Sequence, residues 1–423
     1  MGEWPTTALG DLCDPERGIT YGIVKVGDFV PGGVPVIRGG DIRENRIVFD
    51  GGRRVTSEVS NNFSRTILRG GEIVLNLIAE PGHCAIVPSS MVGFNVSRDV
   101  AVIPLASQVH REYVNLFMQS PSAKGWLASR MSGSVTQKIN LGTLRELPVP
   151  IPPRSYQEAI AEVLGALSDK VALNEQTFGT ARELARAVME ELWVNGDVTS
   201  LTRSDAVVPS EWRRTTLGAL CAAGGGSIQT GPFGSQLHAS DYVDFGIPSV
   251  MPQNIGDNII SEEGIARIAA ADAERLSKYL LAEGDIVYSR RGDVKRRALV
   301  RRHEVGWLCG TGCLRVRVGK DMEPLFMSYY LGEPEIKEWI AQHAIGATMP
   351  NLNTAILGEV PVLLPPGDEM RQVGKRLSGL DAMAAHLQHE NRTLAGLRDT
   401  LLPQLLSGKL RVKDAVRTVE EVV

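Results

Sequence analysis

Two stretches of the chain place apolar residues at alternating steps of three and four, which is the heptad pattern of a helix that packs along a seam. One stretch follows residue 153 and the other follows residue 366. Alanines fill some of the seam positions, and Asn174, Asn391 and Arg398 fill three more. The larger seam residues are Ile160, Leu164, Leu167, Val171, Phe178, Val188, Leu192, Val373, Leu377, Leu380, Leu387, Leu394, Leu401 and Leu405. A helix of about 40 residues is about 60 Å long, so we expect two rods that pack on each other.

The order of the two helices predicts their relative direction. The first carries the chain from one globular region to the next, and the second must run back to cover the same seam. We therefore expect an antiparallel pair. The polar seam positions Asn174 and Asn391 either fix the register of the pair at a cost in stability, or lie at partly exposed positions. The sequence leaves both interpretations open.

The regions before the helices have the composition of small α/β domains. Glycine and proline bound short β-branched runs, which is typical of strands. These runs lie at residues 34–37, 72–75, 100–103, 285–288 and 314–318, and helical patches lie near residues 112–119 and 325–331.

The chain repeats itself with an offset of 213 residues. The matching pairs that define this offset, without a gap, are Gly133 with Gly346, Asn140 with Asn353, Pro148 with Pro361, and Pro153 with Pro366. We predict an α+β fold in which two duplicated α/β domains are separated by two long antiparallel helices. The helices form a coiled coil with pseudo-two-fold symmetry. The predicted boundaries are 1–153 for the first domain, 154–200 for the first helix, 201–366 for the second domain, and 367–423 for the second helix and tail.

Composition places the chain among globular proteins. It has 423 residues, 43% of them hydrophobic and 22% charged, and a net charge of -4. It has no apolar run long enough to span a membrane and no apolar leader, so we expect a cytoplasmic protein without membrane contact. The five cysteines form no Cys-x-x-Cys pair. A zinc site at Cys309 and Cys313 with His303 is conceivable, but packed thiols are the favoured interpretation.

Familiar catalytic motifs are absent from the sequence. It has no phosphate-binding P-loop, no nucleophile elbow, no His-Glu-x-x-His segment and no methyltransferase tetrapeptide. We therefore expect no catalytic residue, no bound metal and no cofactor in this chain.

Basic residues cluster despite the net negative charge. Seven arginines and lysines fall between residues 290 and 302, and Asp293 is the one acid among them. Arginine can donate two hydrogen bonds to guanine or to a phosphate, and glutamine can pair with adenine. The candidate DNA-binding residues are Lys25, Arg38, Arg43, Gln137, Lys138, Gln229, Gln253, Arg290, Arg291, Lys295, Arg296 and Arg297. The alternative for each is an ordinary solvated surface residue.

The sequence resembles the DNA-specificity (S) subunits of type I restriction–modification systems over nearly its whole length. The resemblance is carried by residues 18–24 and 33–38, by Thr-Gly-Pro-Phe-Gly-Ser-Gln-Leu at 230–237, and by Ser-Arg-Arg-Gly-Asp-Val at 289–294. A Pro-Pro pair before each long helix and the segment 401–410 add to it.

This resemblance implies a non-catalytic subunit with two target-recognition domains. Each domain would recognise one half of a split double-stranded DNA target, and the helices would dock two methyltransferase (M) subunits. S-adenosylmethionine would bind to those subunits, and ATP with Mg to motor–nuclease (R) subunits where the system has them. Two other classes remain open: a fused restriction–methylation enzyme, and a helical scaffold that never contacts DNA.

Overall fold

The structure, a computed structural model, describes residues 4–25, 27–43, 45–132, 137–320, 322–346 and 349–422. Residues 133–136, 347 and 348 of the duplicated segment lie outside the described residues. The chain forms two compact units. Unit 1 comprises Met1–Glu175 and Gln388–Val423, and unit 2 comprises Gln176–Leu387. Each long helix therefore contributes one part to each unit, whereas the predicted boundaries had treated the helices as separate segments.

Unit 1 contains short strands arranged in small sheets. They are β1 (Thr6–Ala8), β2 (Thr20–Tyr21), β3 (Val34–Ile37), β4 (Ile42–Arg43), β5 (Arg46–Ile47), β6 (Arg54–Val55), β7 (Ile73–Asn76), β8 (Cys84–Ile86), β9 (Asn95–Val96), β10 (Val100–Ile103) and β11 (Pro148–Pro150). The main sheet has the order β2-β10-β7-β8 and is antiparallel. A second sheet has the order β6-β3-β9, and β1 pairs with β11 next to the start of the first long helix.

The helices of unit 1 are α1 (Ser57–Asn61), α2 (Arg111–Gln119), α3 (Pro121–Ala128), α4 (Leu141–Arg145) and the first part of α5 (Arg154–Asn195). Pro121 occupies the first turn of α3, where its missing N–H costs nothing, and the Ser120 side chain caps the same end. Asn140 caps α4 by accepting a hydrogen bond from the Thr143 N–H at 2.8 Å. These caps fix where the chain turns into each helix.

Unit 2 repeats this arrangement. Its strands are β12 (Arg213–Thr216), β13 (Ser227–Thr230), β14 (Tyr242–Val243), β15 (Ile247–Val250), β16 (Ala266–Ile268), β17 (Ile286–Ser289), β18 (Arg297–Leu299), β19 (Leu308–Cys309), β20 (Cys313–Arg317) and β21 (Pro361–Leu364). Its helices are α6 (Leu217–Ala223), α7 (Ala270–Arg275), α8 (Pro324–Tyr330), α9 (Pro334–His343), α10 (Thr354–Gly358) and the first part of α11 (Gly367–Leu406). The main sheet has the order β13-β20-β17-β18, which matches that of unit 1. The last helix of the chain, α12 (Val412–Val422), belongs to unit 1.

The offset of 213 residues holds well beyond the duplicated segment in the sequence. It relates β3 to β15, β7 to β17 and β8 to β18 residue for residue. It also relates single hydrogen bonds: the Ile139 N–H donates to Leu77 O at 3.0 Å, and the Leu352 N–H donates to Arg290 O at 2.8 Å. The predicted duplication of an α/β domain is therefore confirmed.

The long helices lie antiparallel within each unit. In unit 1 the Tyr156 hydroxyl, near the start of α5, donates to Leu410 O at 2.9 Å, while Lys170, further along, pairs with Glu390 at 3.2 Å. In unit 2, Glu191 near the end of α5 pairs with Arg376 near the start of α11 at 2.6 Å. The predicted direction of the pair is confirmed.

Most of the predicted seam residues form the interior of the helix pair. The buried ones are Ile160, Leu164, Leu167, Val188, Leu192, Val373, Leu377, Leu387, Leu394, Leu401 and Leu405, and the partly buried ones are Val171, Phe178 and Leu380. In unit 1 the seam joins the core of the domain, and the same holds in unit 2. Within the described residues, no helix is long and apolar enough to cross a membrane.

Candidate nucleic-acid interface

Loops from separate parts of unit 2 meet at one end of its main sheet. The Gly231 N–H, just after β13, donates to Cys313 O at 3.0 Å, and the Arg290 N–H, just after β17, donates to Gly312 O at 2.8 Å. These hydrogen bonds hold the chain beyond β13 beside the turn that joins β17 to β18. We call residues 231–236, 290–296 and the described residues of 345–351 the unit-2 loop surface.

Arg290 and Phe233 form a contact on this surface that the sequence analysis missed. The guanidinium carbon of Arg290 lies 5.9 Å from the centroid of the Phe233 ring, within cation–π range. Phe233 is 54% exposed, although phenylalanine is among the residues most often buried. Arg291, the next residue, is exposed. An exposed ring beside an arginine guanidinium is a suitable stacking partner for a nucleic-acid base.

Close backbone approach explains the glycine before this aromatic residue. A Cβ atom on Gly231 would lie 2.1 Å from Gly310 O, so any other residue would force the two segments apart. The equivalent turn of unit 1 has the same requirement, since a Cβ on Gly22 would lie 1.9 Å from Val96 O. In each unit an exposed side chain follows this glycine two residues later, Val24 in unit 1 and Phe233 in unit 2.

Lys295 and Arg296 also lie on the unit-2 loop surface, and both are exposed. Lys295 Nζ lies 2.8 Å from Glu338, and Arg296 Nε lies 3.1 Å from Asp293. Exposed ion pairs of this kind contribute at most about 1 kcal/mol, so either cation can exchange its carboxylate for a DNA phosphate at small cost.

Arg297 does not lie on the unit-2 loop surface, and its assignment as a DNA-binding residue is corrected. Its side chain is only 3% exposed. Nη1 pairs with Asp257 at 2.9 Å, and Nε donates to Ser328 O at 2.7 Å. As the first residue of β18, it faces the interior of unit 2 and supports the structure.

The last two residues of the basic cluster, Arg301 and Arg302, lie in different environments. Arg301 pairs with Asp381 at 2.8 Å and is partly buried. Arg302 is exposed, but it follows β18 and therefore lies at the opposite end of the sheet from the unit-2 loop surface. The basic residues between 290 and 302 therefore lie on two different surfaces and at one interior position, because the three-residue strand β18 lies in the middle of this segment.

The two candidate glutamines of unit 2 differ in how accessible their side chains are to a ligand. Gln253 is exposed in a short 3-10 helix, Pro252–Asn254, that follows β15. The Gly310 N–H donates to Val250 O at 2.9 Å, which places this helix beside the loop surface. Gln229 lies within β13 and is partly buried, and its Oε1 accepts a hydrogen bond from Arg315 at 2.7 Å.

Unit 1 gathers a corresponding set of exposed side chains at the same end of its main sheet. Lys25 follows the Gly22 turn, and Arg38 follows β3. Gln137 O accepts a hydrogen bond from the Ala79 N–H at 3.3 Å, and Lys138 forms β-bridges with Ile78 and Ser132, so the chain beyond β7 holds both residues. We call Lys25, Arg38, Gln137 and Lys138 the unit-1 loop surface.

Arg43, the remaining candidate, lies on the β4–β5 hairpin. It is exposed, and its Nε donates to Gly40 O at 2.6 Å. The other strand of this hairpin begins with Arg46, which pairs with Glu175 of α5 at 3.2 Å. Arg43 thus lies between the loop surface and the long helix of unit 1.

The cysteines behave as packed thiols. All five are buried and unpaired, and burial raises the pKa of Cys309 to about 12. Cys313 donates to Val250 O at 3.2 Å, while His303 is exposed. Among the residues that the structure describes, no three histidine, cysteine or acidic side chains are grouped as metal ligands.

Comparison with known proteins identifies relatives along the chain. The specificity subunit of the type I restriction enzyme EcoBI from Escherichia coli is 23% identical over 208 residues, which are 48% of this chain and 44% of that protein. The match thus spans less than half of the E. coli protein. The specificity subunit of the type I restriction enzyme MjaIX from Methanocaldococcus jannaschii is 21% identical over 97% of this chain and 94% of the relative.

A solved structure shares the fold. The crystal structure of the S subunit of a type I restriction–modification system from M. genitalium matches with a TM-score of 0.60 at 18% identity. The match covers 96% of each chain.

The family itself follows from the sequence match. Residues 1–178 and 209–394 each match the same domain family, so the match covers most of the chain and repeats the internal duplication. The relatives are specificity subunits of type I restriction enzymes, as the resemblance implied. This chain belongs to the type I restriction modification DNA specificity domain family.

Proposed function

We propose that this protein is the subunit that selects the DNA target of a type I restriction–modification complex. The loop surface of each unit contacts one half of a split double-stranded target. The observation that carries the proposal is the repeated convergence of exposed cationic and amide side chains, from loops far apart in the sequence, at the same end of an equivalent sheet.

The chemistry of these side chains suits DNA. Arginine and lysine neutralise phosphates and release counterions, which gives affinity without sequence preference. Arginine, glutamine and asparagine can each form two hydrogen bonds with a base edge in the major groove, which gives sequence preference. Arg290, Arg291 and Gln253 of unit 2 and Arg38 and Gln137 of unit 1 supply both kinds of contact.

The two half-sites differ in sequence under this proposal. At the offset of 213 residues, Arg290 and Arg291 correspond to Leu77 and Ile78. Arg38 of unit 1 corresponds to Met251. Equivalent backbones therefore carry different side chains, so they recognise different bases.

The long helices provide the surface for protein partners. Leu184 and Val194 of α5 and Met383 of α11 are exposed although they are large and apolar. Exposed apolar residues on a helix favour a protein partner, and we assign two methyltransferase subunits to this role. S-adenosylmethionine then binds to those subunits, and ATP with Mg to motor–nuclease subunits, while this chain carries no cofactor. The complex works in the cytoplasm, where DNA is accessible.

Selection from a random duplex library tests this function. The chain is co-expressed with its methyltransferase partner, and bound duplexes are sequenced. We expect two defined blocks separated by a gap of constant length and undefined sequence. Binding without sequence preference would contradict target selection. Absence of DNA affinity at low salt would favour the scaffold, and methyl transfer by the chain alone would favour the fused enzyme.

A further inference from the structure

Unit 2 contains a cavity lined by charged side chains, which borders its loop surface at Lys295. Its volume is about 750 Å³, a size typical of small-molecule sites. The second part of α5 forms one wall, the loop at Asp257 and Asn258 a second, and the segment from Tyr329 to Glu338 a third.

One carboxylate in this cavity is surrounded by four cations. Asp257 pairs with Arg186 and Arg297, each at 2.9 Å, with Lys337 at 3.3 Å, and at short range with Arg182. Burial alone would raise the pKa of Asp257, but Arg297, Arg182 and Lys337 outweigh it and hold the pKa below its usual range. A single negative charge cannot balance four positive ones in a partly buried site.

The other acids that line the cavity only partly correct this imbalance. Glu338 is paired with Lys295 at 2.8 Å and is exposed. Burial raises the pKa of Glu333 to about 7, so about half of its carboxyl groups are neutral at neutral pH. Glu190 is exposed on α5. The walls therefore retain an excess of positive charge that can accept an anion.

A residue of the cavity wall also carries a buried hydrogen-bond donor that has no partner in the structure. Asn258 lines the cavity and is only 5% exposed. Its Oδ1 accepts hydrogen bonds from the Leu299 N–H, at 3.2 Å, and from the Ser328 hydroxyl, which fixes the orientation of the amide. Its Nδ2 has no hydrogen-bond partner in the structure. A buried donor left unpaired costs about 1–3 kcal/mol, and a bound oxygen atom would remove that cost.

The duplicated fold does not require these cations. At the offset of 213 residues, Arg182, Arg186 and Arg297 correspond to Ala395, Asp399 and Cys84, and only Lys337 has a basic counterpart, Lys124. The equivalent hairpin of unit 1 is held to its long helix by the ion pair of Arg46 and Glu175 instead. The cluster is therefore a feature of the second repeat, and it needs an explanation other than the architecture.

We propose that this cavity binds a phosphate group. Arg186 and Lys337 contact its oxygens, and Asn258 Nδ2 donates to it. The Arg186 side chain is 63% exposed, and Asp257 is its one ion-pair partner among the described residues, so it can turn towards a ligand. A guanidinium and an ammonium beside a fixed amide donor match the several acceptor oxygens of phosphate. The proposal does not depend on DNA recognition by the loop surfaces.

Titration calorimetry of the full chain tests the site. Inorganic phosphate and pyrophosphate are titrated at constant ionic strength, with chloride as the reference anion, and the Arg186→Gln variant is compared with wild type. We expect saturable binding that weakens at least fivefold in the variant. The control is Arg213→Gln, which removes an exposed arginine of unit 2 outside the cavity and should bind like wild type. No saturable binding, or equal affinity in all three proteins, would overturn the proposal.

A second variant separates an anion site from an internal salt-bridge network. Asp257→Asn removes the carboxylate that competes with the ligand. We expect tighter binding of pyrophosphate and a larger rise in melting temperature on its addition than in wild type. A variant that is destabilised but gains nothing from pyrophosphate would show that the cations serve Asp257 only.

The phosphate could belong to a small molecule or to the DNA backbone. If it belongs to DNA, pyrophosphate should displace duplex DNA from the assembled complex, and Arg186→Gln should weaken duplex binding about equally for all sequences. If it belongs to a small molecule, Arg186→Gln should lose pyrophosphate binding while its DNA affinity stays unchanged.

Discussion

Asn174 of α5 and Asn391 of α11 are hydrogen-bonded to each other within the seam of unit 1. Asn174 Nδ2 donates to Asn391 Oδ1 at 2.9 Å and to Glu390 Oε2 at 2.6 Å, and Asn174 is only 2% exposed. The equivalent seam positions of unit 2, at the offset of 213 residues, are the apolar residues Leu387 and Phe178. The polar pair therefore distinguishes the unit 1 portion of the seam, and it favours the register interpretation over partial exposure.

The first prediction concerns this pair. Asn174→Leu should lower the free energy of unfolding by about 1–3 kcal/mol, because Asn391 and Glu390 lose a buried donor. The double variant Asn174→Leu/Asn391→Leu should recover much of that loss, because an apolar pair needs no partner. Urea denaturation of the assembled complex gives both values.

A double variant less stable than Asn174→Leu alone would contradict this interpretation of the asparagine pair. The mirror substitution at Leu387 provides the control, since Leu387→Asn should be destabilising in unit 2, where no asparagine lies at the position corresponding to Asn391.

The second prediction separates the two surfaces of the basic cluster. Arg291→Ala should weaken DNA binding by the assembled complex and reduce the salt dependence by roughly one unit of slope, as expected for one lost phosphate contact. Arg302→Ala removes another exposed arginine, at the opposite end of the sheet, and should change neither quantity. Fluorescence anisotropy at several salt concentrations measures both. Equal losses in the two variants would show that the unit-2 loop surface is not the DNA contact.

The third prediction concerns the buried arginine. Arg297→Ala should destabilise unit 2 by about 1–3 kcal/mol, because it leaves the buried Ser328 O without its donor, whereas Asp257 keeps Arg186 and Lys337 as partners. The melting temperature of the complex should fall clearly. A fall in DNA affinity without loss of stability would restore Arg297 to the DNA-binding set.

The fourth prediction concerns pH. Burial raises the pKa of Glu333 to about 7, although the Trp193 indole, Arg297 and Lys337 act to lower it. The folded state therefore binds a proton that the unfolded state releases. Stability from this group is complete below the unfolded pKa of 4.5 and is lost as pH rises towards 7 and above. Glu333→Gln should therefore stabilise the protein at pH 8, by on the order of 2 kcal/mol, and have little effect at pH 5.

The matched control for Glu333 is Glu338→Gln in α9, the helix that begins directly after Glu333. Lys295 holds the pKa of Glu338 below its usual range, so this carboxyl stays ionised between pH 5 and 8. Melting curves at the two pH values should show a pH-dependent difference for Glu333→Gln alone. The same difference in both variants would remove burial of Glu333 as its cause.

The periodic features of the fold could be predicted from the sequence. Heptad spacing identified the helices because seam residues such as Leu164 and Leu377 must repeat to cover each other. The offset of 213 residues identified the duplicated domain, and Val34–Ile37 and Val100–Ile103 are strands as expected. Local signals of this kind require no knowledge of distant contacts.

The composition of the candidate site could be predicted only in part. Arg297 looks like its neighbours in the sequence, and only the distant Asp257 shows that it belongs in the interior. The exposure of Phe233 depends on the close approach of Gly231 to Gly310, which no local pattern reveals. The structure was needed wherever a side chain's role depends on a residue far along the chain.

Independent recognition by the two units is tested most directly by exchanging one domain. Residues 201–366 are replaced by the matching region of a related specificity subunit, and methylated sites are sequenced in cells that express the complete system. The proposed function predicts that one half of the target changes, while the other half is unchanged. A change in both halves, or a methylated target identical to that of wild type, would contradict it.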